Sequence, residues 1–131
     1  MKVSSGWAKS ILVVEDEPAI NDIFRRVLEG EGYEVDIAVT GKMAQCIVEE
    51  KQYDLYLIDI RLPVISGKEV YQRLKEKHPK LLSRVIFTTG DVMYGDTQRF
   101  LKQAARPILL KPFTLDELKA IVRETLKEAE Q

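Results

Sequence analysis

The sequence predicts an α/β domain in which helices cover both faces of a five-stranded parallel sheet. Five short apolar segments alternate with five segments whose apolar residues recur every three or four positions. Three of the strand segments are almost entirely apolar, as is typical of strands that are buried on both faces. Strands and helices that alternate in this way are joined by crossover connections, so the sheet is expected to be parallel.

The predicted strands are spaced so that one helix fits between each pair. They are ILVV (11–14), YEVDIAV (33–39), DLYLIDI (54–60), RVIFTT (84–89) and ILLKP (108–112). The second segment alternates strictly between apolar and polar residues, which favours a position near the edge of the sheet.

The predicted helices carry apolar stripes, and several have recognisable ends. Pro18 suits a first helical turn, Thr40 can cap the second helix, and Thr114 with Glu117 has the spacing of a capping box. The third helix (67–77) is expected to end before Pro79, and a weaker fourth helix covers 94–105. The residues expected to face the core are Ile20, Ile23, Phe24, Val27 and Leu28 in the first helix, Met43, Ala44, Ile47 and Val48 in the second, and Leu115, Leu118, Ile121, Val122 and Leu126 in the last.

Composition places the chain among single-domain globular proteins. Of 131 residues, 45% are hydrophobic and 31% are charged, and 20 Lys and Arg balance 21 Asp and Glu. Without a basic excess we expect no direct binding to nucleic acid, and without a long apolar run we expect no membrane span. The single cysteine, Cys46, excludes an internal disulfide and favours a cytoplasmic location. We expect residues 1–9 to be a polar leader and residues 10–131 to be the domain.

Polar residues end four of the five predicted strands. They are Glu15 and Asp16 after the first strand, Asp59 in the third, Thr88 and Thr89 in the fourth, and Lys111 in the fifth. In an open parallel sheet the carboxyl ends of the strands form one edge, where ligands bind. We therefore expect these groups to lie together.

The residue types at this edge favour phosphoryl chemistry supported by a hard cation. Three neighbouring carboxylates repel one another and need a cation to remain ionised together. Oxygen ligands without a nearby His or Cys suit Mg²⁺ better than Zn²⁺. A carboxylate such as Asp59, placed beside Mg²⁺ and Lys111, can act as a nucleophile toward a phosphoryl group.

Four motifs in order resemble those of the receiver domain of two-component response regulators. They are ILVVEDEP (11–18), DIRLPVISG (59–67), VIFTTG (85–90) and LLKPF (109–113). The resemblance covers about residues 10–126. It implies a flavodoxin-like fold with strand order 2-1-3-4-5. It also implies a Mg²⁺ site in which Asp16 and Asp59 bind the ion directly, Glu15 binds mainly through water, and the backbone carbonyl of Arg61 completes the set.

The resemblance further implies a signalling switch and not an enzyme acting on other molecules. Asp59 would accept a phosphoryl group from a sensor histidine kinase or a histidine phosphotransfer protein, and Thr89 and Lys111 would contact that group. Thr88 is expected to face away, and the Lys111–Pro112 bond to be cis. Phosphorylation would change the face formed by strands four and five (94–126), where a partner or a second copy of the chain would bind.

Two features depart from the common receiver pattern. Ile108 occupies a position that is often aromatic, which puts an aromatic-flip mechanism in doubt. Arg61 and Asp91 are predicted to bridge the mouth of the site and to slow self-dephosphorylation. Within the family, the segment 100–113, with Pro107 before the strand, is more similar to receivers attached to hybrid sensor kinases than to receivers that drive DNA-binding domains.

Three other functions are weighed against the switch. A pseudo-receiver that binds partners without phosphorylation is expected to have lost an acid, the Thr or the Lys, and none is lost here. A dehalogenase-type hydrolase needs a second Asp two residues after the nucleophile, where this chain has Arg61. A flavodoxin-like electron carrier needs a hydroxyl-rich loop after the first strand, where this chain has Glu-Asp-Glu-Pro.

Overall fold

A computed structural model describes residues 8–90 and 95–130 and shows a five-stranded parallel sheet with the order β2-β1-β3-β4-β5. The strands are β1 (Ser10–Val14), β2 (Glu34–Ala38), β3 (Leu55–Asp59), β4 (Val85–Thr89) and β5 (Ile108–Leu110). The helices are α1 (Pro18–Gly30), α2 (Gly41–Glu50), α3 (Gly67–Lys77), α4 (Gly95–Ala104) and α5 (Leu115–Ala129). The predicted fold class, the strand order and the edge position of β2 are confirmed.

The sheet separates two hydrophobic clusters, because successive residues of a strand point to opposite faces. On one face, Leu12, Ile58 and Phe87 pack with residues of α2, α3 and α4. On the other face, Leu57 and Ile86 pack with residues of α1 and α5. All five residues of β3 are buried, so this central strand holds its last residue, Asp59, in a rigid setting.

Local sequence signals account for most helix ends. The Thr40 hydroxyl accepts a hydrogen bond from the Met43 backbone, and the capping box expected at Thr114 and Glu117 is present. A second capping box, formed by Ser66 and Glu69, begins α3. These caps place the helix starts at the carboxyl edge of the sheet, next to the strand ends.

The 3₁₀ helix Pro79–Arg84 between α3 and β4 was not predicted from the sequence. The strand expected at 108–112 ends at Leu110, and the last ladder bond in this region runs from the Lys111 N–H to the Thr89 carbonyl. The next residue, Pro112, has no N–H to continue the ladder. One short helix was therefore missed, and β5 was predicted to extend beyond its observed end at Leu110.

Three residues expected in the core are exposed: Ile23, Met43 and Leu115. Met43 and Leu115 lie in the first turns of their helices, where the helix begins at the edge of the sheet. In α1 the buried face runs through Asn21, Phe24 and Leu28. Ile23 lies at the margin of this buried face, because each residue of an α-helix is rotated by about 100° around the helix axis from the one before it.

Within the described residues, no helix is both long enough and apolar enough to cross a membrane.

Candidate functional site

The ends of β1, β3 and β5 bring three charged side chains into direct contact. The Lys111 Nζ donates hydrogen bonds to Glu15 Oε1 at 2.7 Å and to Asp59 Oδ2 at 3.0 Å. Glu15 and Asp59 are 0% and 4% exposed, and Lys111 is half-buried. One ammonium group therefore joins two buried carboxylates that come from different strands.

A third carboxylate completes an acidic cluster at the same place. Ligand oxygens of Glu15, Asp16 and Asp59 all lie within 4.8 Å of one another. Burial raises the pKa of Glu15 to about 7, and the charge of Asp59 acts in the same direction, against the hydrogen bond from Lys111. Burial alone would lower the pKa of Lys111, but its hydrogen bonds to Glu15 and Asp59 raise it above the usual value. Lys111 therefore stays charged, but its single positive charge does not balance the three carboxyl groups of Glu15, Asp16 and Asp59.

These carboxylates fit a hard divalent cation. Carboxylate oxygens, with space for water, are the ligands that Mg²⁺ prefers. Burial disfavours the charged form of the Glu15 carboxyl and raises its pKa, and either a proton or a metal ion would offset that negative charge.

Both carboxylate oxygens of Asp59 accept hydrogen bonds. In addition to the bond from Lys111, the Arg61 backbone N–H donates to Asp59 Oδ1 at 3.0 Å. A bond of this kind between an aspartate and the residue two positions later forms an Asx turn. The turn orients Asp59 as the chain leaves β3. The predicted role of the Arg61 carbonyl as a metal ligand stays a prediction.

The two threonines of β4 lie on opposite faces of the sheet, in accordance with strand alternation. Thr89 ends β4, is fully buried and accepts the Lys111 N–H at 3.0 Å through its carbonyl. Thr88 lies opposite Asp59 in the strand register. Its hydroxyl oxygen is buried and has no hydrogen-bond partner.

Asn21 is a supporting residue that sequence reasoning missed. Its buried Nδ2 donates to the Glu15 carbonyl at 2.7 Å, while the Glu17 N–H donates to Glu15 Oε2 at 3.1 Å. The two bonds hold the loop that carries the acid pair. A signal was available, because Asn21 occupies a position of the buried helical face that Phe24 and Leu28 continue.

Two glycines allow the loop between β3 and α3 to lie close to its neighbours. A Cβ on Gly67 would lie 2.2 Å from the Asp59 carbonyl oxygen, and a Cβ on Gly41 would lie 2.1 Å from that of Ile65. The Gly67 N–H also donates to the Ile60 carbonyl at 3.0 Å. Gly67 is part of the quoted motif, but Gly41 could not be recognised from spacing, since it contacts a segment far away in the sequence.

Of the residues that depart from the common receiver pattern, Ile108 lies within the described part of the chain and Asp91 does not. Ile108 is partly buried and pairs in register with Phe87, whose ring contacts Phe100 and Tyr71. Asp91 lies outside the described residues, so its predicted bridge to Arg61 stays a prediction.

Comparison with known proteins agrees with this geometry. The family model described as the response regulator receiver domain matches residues 11–123. The phosphate regulon transcriptional regulatory protein PhoB of Rhizobium meliloti is 35% identical over 119 residues, which are 91% of this chain and 52% of that protein. The aerobic respiration control sensor protein ArcB of Escherichia coli is 33% identical over 89% of this chain and 15% of its own length. The chain thus spans about half, or much less, of these relatives.

Solved structures give the same result. A CheY-like response regulator receiver domain protein from Methanospirillum hungatei superposes with a TM-score of 0.85 at 32% identity, covering 94% of this chain and 97% of that one. The receiver domain of sensor histidine kinase PA1611 from Pseudomonas aeruginosa, which has a magnesium ion coordinated in its active site cleft, gives a TM-score of 0.82 at 29% identity, covering 92% and 98%. On its sequence and its fold, this chain belongs to the family of response regulator receiver domains.

Proposed function

We propose that this chain is a phosphorylatable switch in which Asp59 accepts a phosphoryl group from a phosphohistidine. The observation that carries the proposal is the setting of Asp59. Asp59 is 4% exposed at the end of a buried strand, and its carboxylate is oriented by Lys111 Nζ and the Arg61 N–H, each at 3.0 Å. A nucleophile held in this way loses little entropy when it reacts.

In the proposed reaction, an Asp59 carboxylate oxygen attacks phosphorus as the phosphorus–nitrogen bond of the donor breaks. The bonding pair leaves with the imidazole, which takes up a proton, and an acyl phosphate forms on Asp59. Lys111 balances negative charge on the phosphoryl oxygens, and the Thr89 hydroxyl donates to one of them. Mg²⁺ held by Glu15, Asp16, Asp59 and the Arg61 carbonyl would supply further positive charge.

The proposed readout is the face formed by β4, α4, β5 and α5 (94–126). A phosphoryl group adds up to about two negative charges at Asp59. Thr89 ends β4, and its carbonyl is bonded to the Lys111 N–H, so a movement of either residue is transmitted to both strands. A changed face would bind an output partner or a second copy of the chain. The proposal includes a sensor histidine kinase or phosphotransfer protein as donor, a cytoplasmic location, residues 10–131 as the receiver unit, and no catalysis beyond the chain's own phosphorylation and dephosphorylation.

The proposal is tested by adding acetyl phosphate and Mg²⁺ and measuring the intact mass. We expect one added phosphoryl group in the wild type and in Asp54→Asn, and none in Asp59→Asn. Asp54 is the matched control, because it precedes the same strand and bonds to Ser10 at the opposite end. If the wild type folds but gains no phosphoryl group, the proposal fails and a phosphorylation-independent pseudo-receiver becomes the better interpretation.

A further inference from the structure

Val64 has an unusual conformation at the most exposed point of the loop between β3 and α3. Its φ angle is +67°, and the Ile65 N–H donates to the Pro63 carbonyl at 2.8 Å across it. A hydrogen bond across a single residue makes a γ-turn, which is strained when the central φ is positive. A β-branched residue is especially unfavourable at a positive φ, which Gly adopts freely and Asn adopts more readily than Val.

The fold does not benefit from the valine side chain. Val64 is 97% exposed, so it contributes almost nothing to the core. The segments on both sides of the turn lie close to other backbone, Ile65 to Gly41 and Asp59 to Gly67. A strained apolar residue that gives no packing in return points to a role outside the chain.

The position of Val64 indicates what covers it. The exposed large hydrophobic residues of the described chain are Ile23, Val39, Met43, Val64, Leu110 and Leu115. Five of these six lie within three residues of a strand's carboxyl end or the start of a helix, on the sheet edge that carries Asp59. A protein donor must bring its phosphohistidine to Asp59, so its surface must cover this edge.

We propose that Val64 is a docking contact for the protein that donates the phosphoryl group, and that its side chain packs against an apolar surface beside the donor histidine. This inference rests on the proposed phosphorylation of Asp59. Burial of a fully exposed valine on docking corresponds to about a tenfold gain in the efficiency of transfer. A small donor such as acetyl phosphate does not use the contact.

The test compares two donors on three chains: the wild type, Val64→Asn and Val64→Ile. The protein donor is the autophosphorylated histidine kinase of the source genome that transfers fastest to the wild type. We expect Val64→Asn to lower kcat/KM from the kinase about tenfold, with Val64→Ile close to the wild type. The rate with acetyl phosphate should be equal in all three chains.

A second measurement separates docking from folding. Because Asn tolerates a positive φ, Val64→Asn should raise the melting temperature by about 3–8 °C while it weakens transfer. The control substitution Val39→Asn should leave the melting temperature no higher, because Val39 lacks a positive φ. Docking through Val64 is refuted if Val64→Asn keeps the wild-type rate with the kinase, or if both donors slow equally. If no kinase transfers to the wild type, the proposed phosphohistidine donor is wrong, and docking through Val64 is wrong with it. Failure of acetyl phosphate to label the wild type would refute the proposed function itself.

Discussion

Replacing Gly67 with alanine tests whether the close approach of α3 to the end of β3 holds Asp59 in place. The new Cβ would lie 2.2 Å from the Asp59 carbonyl oxygen and 2.7 Å from the Ile60 Cα, where ordinary contacts begin at 3.4 Å. Both obstacles are backbone atoms, so no side chain can rotate away. The start of α3 must therefore withdraw by about 1 Å, a gap that forfeits a quarter to a half of each dispersion contact it opens.

The expected cost follows from what α3 buries. Val70, Tyr71 and Leu74 pack into the core from this helix, and overpacking of this kind costs about 3 kcal/mol. We expect urea denaturation to show that loss in the free energy of unfolding of Gly67→Ala. Labelling by acetyl phosphate should also slow, because the backbone of Asp59 is displaced.

Gly30 provides the matched control for this substitution. It ends α1, and a Cβ there meets no atom within 4 Å. Alanine at this position should be neutral or should stabilise the chain by up to about 1 kcal/mol, because it has the higher helix propensity. The reasoning is wrong if Gly67→Ala unfolds at the wild-type urea concentration, or if Gly30→Ala is destabilised to the same extent.

Three further changes probe the site. Burial raises the pKa of Glu15 from its ordinary value of 4.5 to about 7 in the folded chain. In the metal-free chain, the contribution of Glu15 to stability should therefore be greatest below pH 4.5 and should fall by at most about 3 kcal/mol as the pH rises to 7. Urea titrations in EDTA should show this loss in the wild type but not in Glu15→Gln. Thr88→Val removes the buried hydroxyl that has no partner, so thermal unfolding should show about 1 kcal/mol of added stability with labelling of Asp59 unchanged; a loss of stability would show that the hydroxyl is bonded. Asn21→Ala should cost about 1–3 kcal/mol and weaken Mg²⁺ binding measured by calorimetry, since the Glu15 carbonyl loses its donor; unchanged Mg²⁺ affinity would show that Asn21 does not position the acids.

Most of the architecture was predictable from the sequence, because its physical causes are local. The alternation of strand and helix periods defines a parallel sheet, and its topology places the carboxyl ends of all strands at one edge. Glu15, Asp59 and Lys111 were therefore expected to meet, and they do so at hydrogen-bond distances. Thr40, Thr114 and Glu117 were recognisable as caps because a cap involves residues only a few positions apart.

Periodicity was less reliable where helices begin. It places Met43 and Leu115 on the apolar faces of α2 and α5, yet both are exposed. A stripe of apolar residues shows which side of a helix faces the sheet, but it does not show how far the sheet extends beneath that helix. The same reasoning put Ile23 in the core, whereas the residues of α1 that are buried are Asn21, Phe24 and Leu28.

The fold class, the order of the elements and the residues that end each strand could all be predicted from the sequence. These properties depend on backbone geometry and on the hydrophobicity of neighbouring residues. Three features became visible only in the packed structure: Gly41 lies against Ile65, Asn21 bonds to the Glu15 carbonyl, and Val64 adopts a positive φ. Each of these depends on how close the backbone of one segment comes to another, a distance that is set only when the whole sheet and its helices are packed together.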